Sequence, residues 1–324
     1  LTNYVIGVDL GGTKIFTVLA DMHGSICAEI KVPTGAAAGP EKVMERLVNS
    51  AAAVRQQCAA DPRGLLTVAV GVPGPELDAE RGLVYFSNNL GWYDIPLKEI
   101  LQNELQVPVY VENDANAAAL GEHVYGAGSG IDDMVYITVS TGIGGGIIID
   151  RKIYRGVSHG AGEIGHMTIM PDGPQCTCGN TGCLESLASG TAIARAAVEL
   201  IEQGRGKGIL QAAGGRVEDV DARAVAGAAQ RGDGEAKMIM SGAARALGIG
   251  IANIVNIINP PLVVLGGGVM ESRELIWPEM ERELRERAFK VPLQNLQLVP
   301  AALGSKAGAL GAVALALQAV KGEM

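Results

Sequence analysis

Residues 4–32, YVIGVDLGGTKIFTVLADMHGSICAEIKV, decide how this chain folds. Tyr4–Leu10 is a short apolar run closed by Gly11-Gly12, which predicts a buried strand ending in a tight turn. Ile15–Ala20 and Ile26–Val32 follow, with the turn residues Asp21, His23 and Gly24 between them, so an antiparallel three-stranded meander is expected. Beyond it, Val43, Leu47, Ala51 and Val54 recur at helical spacing, which predicts a crossover helix over residues 41–54. Leu65–Val72 is apolar throughout, as befits a strand of a parallel sheet covered on both faces. Val107–Val111 reads as another short strand, and Asp114–Glu122 as a helix with an acidic residue at its start.

After the glycine-rich stretch 126–130 the order of elements starts again. Met134–Ser140 reads as a strand, 141–146 as a glycine turn and Gly146–Asp150 as a second strand. A long helix is expected from about Glu235 to Ile258, stopped by Asn259-Pro260-Pro261. Leu262–Leu265 is one more apolar strand, ending in Gly266-Gly267-Gly268, and a last helix covers Lys306–Val320. Two rounds of meander plus helical crossover predict a duplicated α/β architecture with a central cleft. The expected boundary lies at 126–130. Residues 1–125 with the C-terminal helix 305–324 would form a smaller α/β domain, and 126–304 a larger one.

Composition narrows the function. With 324 residues, 48% of them hydrophobic and 19% charged, the chain fits two globular domains and excludes a disordered segment. Aromatics are scarce at 4% against 45 glycines, so packing rests on aliphatic side chains and many backbone positions serve turns or close approach to a ligand. A net charge of −9 argues against nucleic-acid binding, which needs clustered Lys and Arg, but leaves a glycine-lined ATP pocket possible. No leader and no run long enough to span a bilayer is read, so a cytoplasmic protein with no membrane partner is expected. Five cysteines, an odd number, make a disulfide framework a poor explanation. Cys27 and Cys58 read as small buried side chains. The other three crowd into residues 176–183.

Three strands end in glycine turns: Asp9-Leu10-Gly11-Gly12-Thr13-Lys14, Ser140-Thr141-Gly142 onward, and Leu265-Gly266-Gly267-Gly268. Glycine lets the backbone come close to phosphate and aim successive N–H groups at it. Thr13 and Thr141 add hydroxyls, Lys14 a positive charge, and Asp9 a carboxylate placed to hold Mg²⁺ through water. Taken singly each turn is an ordinary bend; together they point to a nucleotide cleft. Neither the Walker pattern nor the dinucleotide fingerprint occurs in context.

In Cys176-Thr177-Cys178-Gly179-Asn180-Thr181-Gly182-Cys183, three thiols lie in one loop, and His166 upstream is the natural fourth ligand of a tetrahedral Zn²⁺. Such a site is coordinatively closed, so its task is structural. If one ring nitrogen of His166 binds zinc, the other carries its proton as an oriented donor. Glu163 and Glu185 flank the cluster, and two carboxylates with one imidazole N–H match the vicinal hydroxyls of a sugar. Either glutamate alone reads as a solvated loop charge. At a strand-to-helix junction, Asn113-Asp114 offers a carboxylate to accept an alcohol's proton in phosphoryl transfer, with Asn113 orienting the alcohol. From spacing alone, a helix N-cap explains Asp114 equally well.

As a set, DLGGTK at 9–14, ENDANAAALGE at 112–122, STGIGGG at 140–146, HGAGEIGHM at 159–167 and CTCGNTGCLES at 176–186 resemble the ROK family of repressors, open reading frames and sugar kinases. The resemblance runs from residue 5 to about 315 in the family's order. It implies the actin-like, hexokinase-like fold, closing on ATP and sugar, with the last helix folded back on the first domain. It implies Asp114 as general base and Asn113, Glu163, His166 and Glu185 on sugar hydroxyls, with Asn89 in the similar segment 87–92. It further implies zinc on His166, Cys176, Cys178 and Cys183. Within the family the strings NNLGWYDIPLKEIL and CGNTGCLESLASGTAIAR are most similar to bacterial glucokinases, which implies transfer from MgATP to the 6-hydroxyl of glucose by a homodimer or homotetramer. Kinases for N-acetylmannosamine or fructose are the rivals within the enzyme class. A sugar-sensing repressor is the rival outside it, disfavoured because Asp9 stands too near the start for a helix-turn-helix to precede it. A polyphosphate-dependent kinase fits less well, since the members associated with that donor lack the cysteine loop.

Overall fold

The computed structural model describes residues 3–58 and 61–323. The opening meander forms as expected, from β1 (Tyr4–Leu10), β2 (Lys14–Asp21) and β3 (Ile26–Pro33). Then come α1 (Pro40–Gln57) and β4 (Leu65–Val72), and a small three-stranded sheet of β5 (Glu76–Asp78), β6 (Leu83–Ser87) and β7 (Trp92–Ile95). Next are α2 (Leu97–Leu105), β8 (Val109–Asn113) and α3 (Asp114–Tyr125). The second round holds β9 (Met134–Val139), β10 (Ile143–Ile149), β11 (Lys152–Ile153), α4 (Leu184–Ala188), α5 (Gly190–Glu202), α6 (Lys207–Ala212) and α7 (Ala222–Gln230). It ends with α8 (Gly234–Ile258), β12 (Leu262–Gly266), α9 (Arg273–Arg287), α10 (Lys290–Asn295), β13 (Gln297–Pro300) and α11 (Ala307–Lys321).

The duplication is visible in the sheets. One five-stranded sheet has the order β3-β2-β1-β4-β8 and the other β11-β10-β9-β12-β13. In each, the first strand of the round is central, its next two strands lie to one side and the two later strands to the other. β1 pairs antiparallel with β2 and parallel with β4, and β4 parallel with β8. In the second sheet β10 and β11 are antiparallel and β12 and β13 parallel. Crossovers between parallel strands require helices, which is why apolar strands without alternation recur with helical segments between them.

By contacts the chain forms two compact units. One comprises Leu1–Tyr136, Gly146–Gly162 and Ala301–Met324, the other Ile137–Gly145 and Glu163–Pro300. The division therefore differs from the expected boundary at 126–130. That stretch belongs to the end of α3: Gly126 and Gly128 both donate their N–H to the Glu122 carbonyl, and Ala127 donates to the Glu122 carboxylate. Glu122 is fully buried and takes two more backbone donors, from Ala302 at 3.1 Å and Leu303 at 2.8 Å. One carboxylate thus ties both segments to α3 within the first unit.

The core of the first unit is aliphatic, with Trp92 its largest buried side chain, packed from β1, β4, β8, α1 and α2. On the other face of the sheet α11 lies against β1 and α3 with almost no side chain between the backbones. A β-carbon on Gly7 would come within 2.5 Å of the Ala309 carbonyl, and one on Gly311 would fall inside the Ala117 carbonyl. Gly311→Ala is therefore expected to cost more than about 2 kcal/mol, because backbone rather than a flexible side chain must give way. Denaturant melts against the wild type check this, and an unchanged midpoint would contradict the packing.

Four expectations are corrected. The glycine turn at 141–146 is shorter than expected, since Gly144, Gly145 and Gly146 lie inside β10. Glycine is used there for packing: a β-carbon on Gly146 would stand 2.5 Å from Ala119 Cβ. Cys27 and Cys58 are not core residues. Cys27 is exposed on β3, an edge strand, and Cys58 is partly exposed at the end of α1. Finally, α8 is long and apolar enough to cross a bilayer by length and composition, with a mean hydropathy of 1.5. However, 61% of that window is buried, and its partners are α9, α7 and α4, so it serves as the core helix of the second unit.

Candidate functional site

In the first unit the candidate residues gather at the C-terminal ends of β1, β4 and β8, where ligands sit in α/β sheets. Asp9 near the end of β1 pairs in register with Gly71 of β4, and Gly71 pairs with Glu112 of β8. A β-carbon on Gly71 would lie 3.5 Å from Asp114 Cα, so this glycine lets the start of α3 approach the sheet beside Asp9. Burial first, and then the Asp114 charge, push Asp9 up to about 6, with Lys14 opposing. Burial likewise raises Asp114 above the usual carboxylate range.

The helix start removes one of the two readings of Asp114, the N-cap. The N-cap is Asn113, whose side-chain oxygen accepts from Ala115 N at 2.9 Å and Asn116 N at 3.1 Å. Asp114 is the first residue inside the helix, with one oxygen on Ala115 N at 2.8 Å. A helix with an Asn cap has no need of a second capping side chain one position on. Asn113 is correspondingly less available than expected, since its amide nitrogen also donates to the Gly74 carbonyl at 3.3 Å.

The turn after β1 is closed by Gly11 N on the Lys14 carbonyl at 2.9 Å and braced by Thr34, whose hydroxyl donates to the Gly11 carbonyl at 2.6 Å. Thr13 and Lys14 are exposed. Asn89 stands against this turn: a β-carbon on Gly12 would be 3.0 Å from its carbonyl. Beside Asp9 comes the first turn of α11, where a β-carbon on Gly308 would stand 2.8 Å from the Asp9 carboxyl carbon. Gly308 was not legible as a site residue, because nothing in a glycine near a helix start tells which carboxylate it faces.

In the second unit the cysteine loop folds as a ligand cluster. The ligand atoms of His166, Cys176, Cys178 and Cys183 all lie within 4.8 Å of one another. Cys178 Sγ and Cys183 Sγ are 3.7 Å apart, and Cys176 Sγ is 3.7 Å from His166 Nδ1. Ordinary Zn–S and Zn–N bonds set tetrahedron edges of about 3.8 Å between two sulfurs and about 3.6 Å between sulfur and nitrogen. The donor set and its spacing fit zinc. Burial and then the neighbouring thiols push the Cys183 thiol up to about 12, so this thiol keeps its proton unless a cation replaces it. With Nδ1 turned to sulfur, His166 Nε2 faces outward, 3.9 Å from the Glu163 carboxylate.

Glu185, two residues after Cys183, joins this cluster to the Thr141-Gly142 turn. One of its oxygens accepts from Ile143 N at 2.8 Å and leaves no room for a side chain on Gly142. Its other oxygen lies 4.0 Å from Cys176 Sγ. The same turn is held from the other side by α5, where Gly190 N donates to the Ser140 carbonyl at 2.7 Å and Thr191 Oγ1 to the Thr141 carbonyl at 2.8 Å. Thr141 and Gly268 line a cavity of about 350 Å³ with Thr191, Arg223, Met240 and Ser272 among its other walls. Gly142, Gly266 and Gly267 are not among the lining residues. Gly267, at φ 92°, is needed where the backbone passes against Val139. Sequence reading missed the walls from α5, α7 and α8. Their residues are common helix residues, and only the fold brings them to one hollow.

A sheet-and-crossover unit repeated with one strand order, glycine turns and carboxylates at the strand ends, defines the actin-like, hexokinase-like class of α/β proteins. The chain belongs to the ROK family, which matches residues 5–319. A glucokinase from Halalkalibacterium halodurans is 35% identical over 95% of this chain and 93% of its own. A xylose repressor from Caldicellulosiruptor bescii is 33% identical over 97% of this chain and 78% of its own. Among solved structures, a ROK family glucokinase from Streptomyces griseus in complex with glucose and AMPPNP superposes with a TM-score of 0.83 at 36% identity, covering 98% of this chain and all of that one.

Proposed function

We propose that this chain is an ATP-dependent hexose kinase that phosphorylates the 6-hydroxyl of glucose. The observation that carries this is the junction at 113–114: Asn113 caps α3, so the Asp114 carboxylate stands beside Asp9 at a strand-end site without a capping duty. The S. griseus glucokinase complex supports glucose and an ATP-like donor as the ligands.

In this reading Asp114 takes the proton of the 6-hydroxyl as its oxygen bonds to the γ-phosphorus and the bond to the ADP oxygen breaks. The raised affinity of Asp114 for a proton suits a base, while the ionised form is still the one required. Backbone N–H groups at Gly12 and Thr13 of the Gly11–Lys14 turn receive the phosphates, and Asp9 would hold Mg²⁺, which would neutralise charge on the transferring group. Glu163, His166 Nε2 and Glu185 serve the sugar hydroxyls, and the 350 Å³ cavity takes the nucleoside. His166, Cys176, Cys178 and Cys183 would hold zinc, which would fix the imidazole tautomer and leave the donor proton on Nε2.

The repressor among the relatives favours a second reading, a sugar-binding protein without turnover. One assay separates the two: coupled ADP release over glucose, mannose, fructose and N-acetylmannosamine. Turnover with glucose at a kcat/KM at least about tenfold above the other sugars is expected, a margin that a few differential hydrogen bonds provide. Turnover with another hexose would replace the substrate, and glucose binding without ADP release would replace the kinase.

A further inference from the structure

Glu112, the residue before Asn113, has no part in the chemistry above, yet its carboxylate is buried and carries four donors. Its side chain is 2% exposed. Oε1 accepts from Asn113 N and from Asn116 Nδ2, both at 3.0 Å, which turns it back onto the junction of β8 and α3. Oε2 accepts from Arg155 Nε at 2.8 Å and from a second guanidinium nitrogen at 2.7 Å. Arg155 comes from the loop after β11, which is closed on itself by Ala161 N donating to the Arg155 carbonyl at 3.0 Å.

We infer that Glu112 and Arg155 are a positioning pair for the candidate base, holding the Asn113–Asp114 junction in register; this rests on Asp114 being that base. One oxygen of Glu112 fixes the two polar groups on either side of Asp114 in sequence, and the other is fixed by the guanidinium. Removing Arg155 strands a buried carboxylate. That carboxylate must then move to water or take a proton, and either response frees Asn113 N and the Asn116 amide. General-base transfer tolerates little displacement, and a shift of about 1 Å at the reacting group is worth about 100-fold in rate. A pair that only stabilised the fold would alter melting and active fraction, leaving the kcat of folded molecules alone.

The test uses the full chain with Arg155→Met and Arg155→Lys, Asp114→Asn in parallel, measuring kcat, KM for glucose and MgATP, glucose binding and melting temperature. Arg155→Met is expected to lower kcat by about 30-fold, inside the range for misplaced reacting groups, with KM for glucose within about threefold. Arg155→Lys keeps the cation but not the planar fork, so it should fold like the wild type and lose about fivefold in kcat. If Arg155→Met does not fold, Arg155→Lys alone decides. Either variant, folded and with kcat within about twofold of wild type, overturns the pairing, as does a loss confined to KM. Should Asp114→Asn turn over freely, the base assignment falls and this inference with it. Asp114→Asn inactive while both Arg155 variants run at full kcat overturns this inference alone.

Discussion

Replacing Asp114 by Asn is expected to reduce kcat by about 1,000-fold, about 4 kcal/mol of barrier, while glucose affinity changes by less than about threefold. The amide keeps the size of the carboxyl group, and its oxygen can still accept from Ala115 N. What it cannot do is take a proton. Capping is unaffected, since Asn113 performs it, so the melting temperature is expected to hold. It should even rise slightly near neutral pH. A carboxyl whose folded affinity for protons is raised by burial withdraws stability above its unfolded pKa, and the amide has no charge to bury. Stopped assays at saturating glucose and MgATP, with glucose titrated separately, check both halves. Residual turnover above about a tenth of wild type would remove Asp114 from the mechanism.

The strand meander was legible because its signals are local. Apolar runs of strand length closed by Gly11-Gly12 or by Asp21 and Gly24 can form little else, and β1, β2 and β3 appear almost where those residues put them. Gly144–Gly146 misled for a physical reason: glycine marks a turn when φ is positive and a strand when another backbone or helix comes close, and sequence does not distinguish the two. Here Gly146 lies under α3. The same ambiguity hid Gly308 beside Asp9 and Gly311 against Ala117. Buried polar clips were equally silent. Glu122 and Glu112 look like ordinary charges in a helix and at a strand end. Their partners, Ala302 and Leu303 for one and Arg155 for the other, stand 43 or more positions away. The Asn113-Asp114 pair was the opposite case. The sequence left Asp114 as either cap or base and gave Asn113 to the sugar, and the geometry moved the cap to Asn113.

Cys183→Ser is expected to empty the metal cluster, lowering bound zinc from one per chain to less than about 0.1, because a neutral hydroxyl does not replace a thiolate on zinc. The site tolerates the loss poorly. Cys183 is fully buried at the start of α4, the Leu184 N–H after it donates to the Met167 carbonyl at 2.9 Å, and Gly182 is threaded against Met170 with no room for a β-carbon. These backbone contacts hold 167–170 against 182–184, but each is weak alone, and the cluster closes them into one piece. Its loss is expected to lower the melting temperature by more than about 5 °C, roughly 2 kcal/mol for a unit of this size. The effect should reach the sugar. His166 Nε2 is a fixed donor only while Nδ1 is bound, and Glu185 sits between Cys176 and Ile143 N. Glucose affinity is therefore expected to fall by at least about 30-fold, the loss of one to two oriented hydrogen bonds to charged groups. MgATP binding measured without sugar should change less, because the Gly11–Lys14 turn lies in the other unit and most walls of the nucleoside cavity come from α5, α7 and α8 rather than from the turn that Glu185 holds. Metal analysis of the purified chain, melting curves and paired titrations with glucose and a non-hydrolysable ATP analogue give the three readouts. Full glucose affinity in a chain shown to hold no metal would sever the zinc from the sugar site. Equal losses for both ligands would mean that the substitution had unfolded the protein rather than released His166 and Glu185.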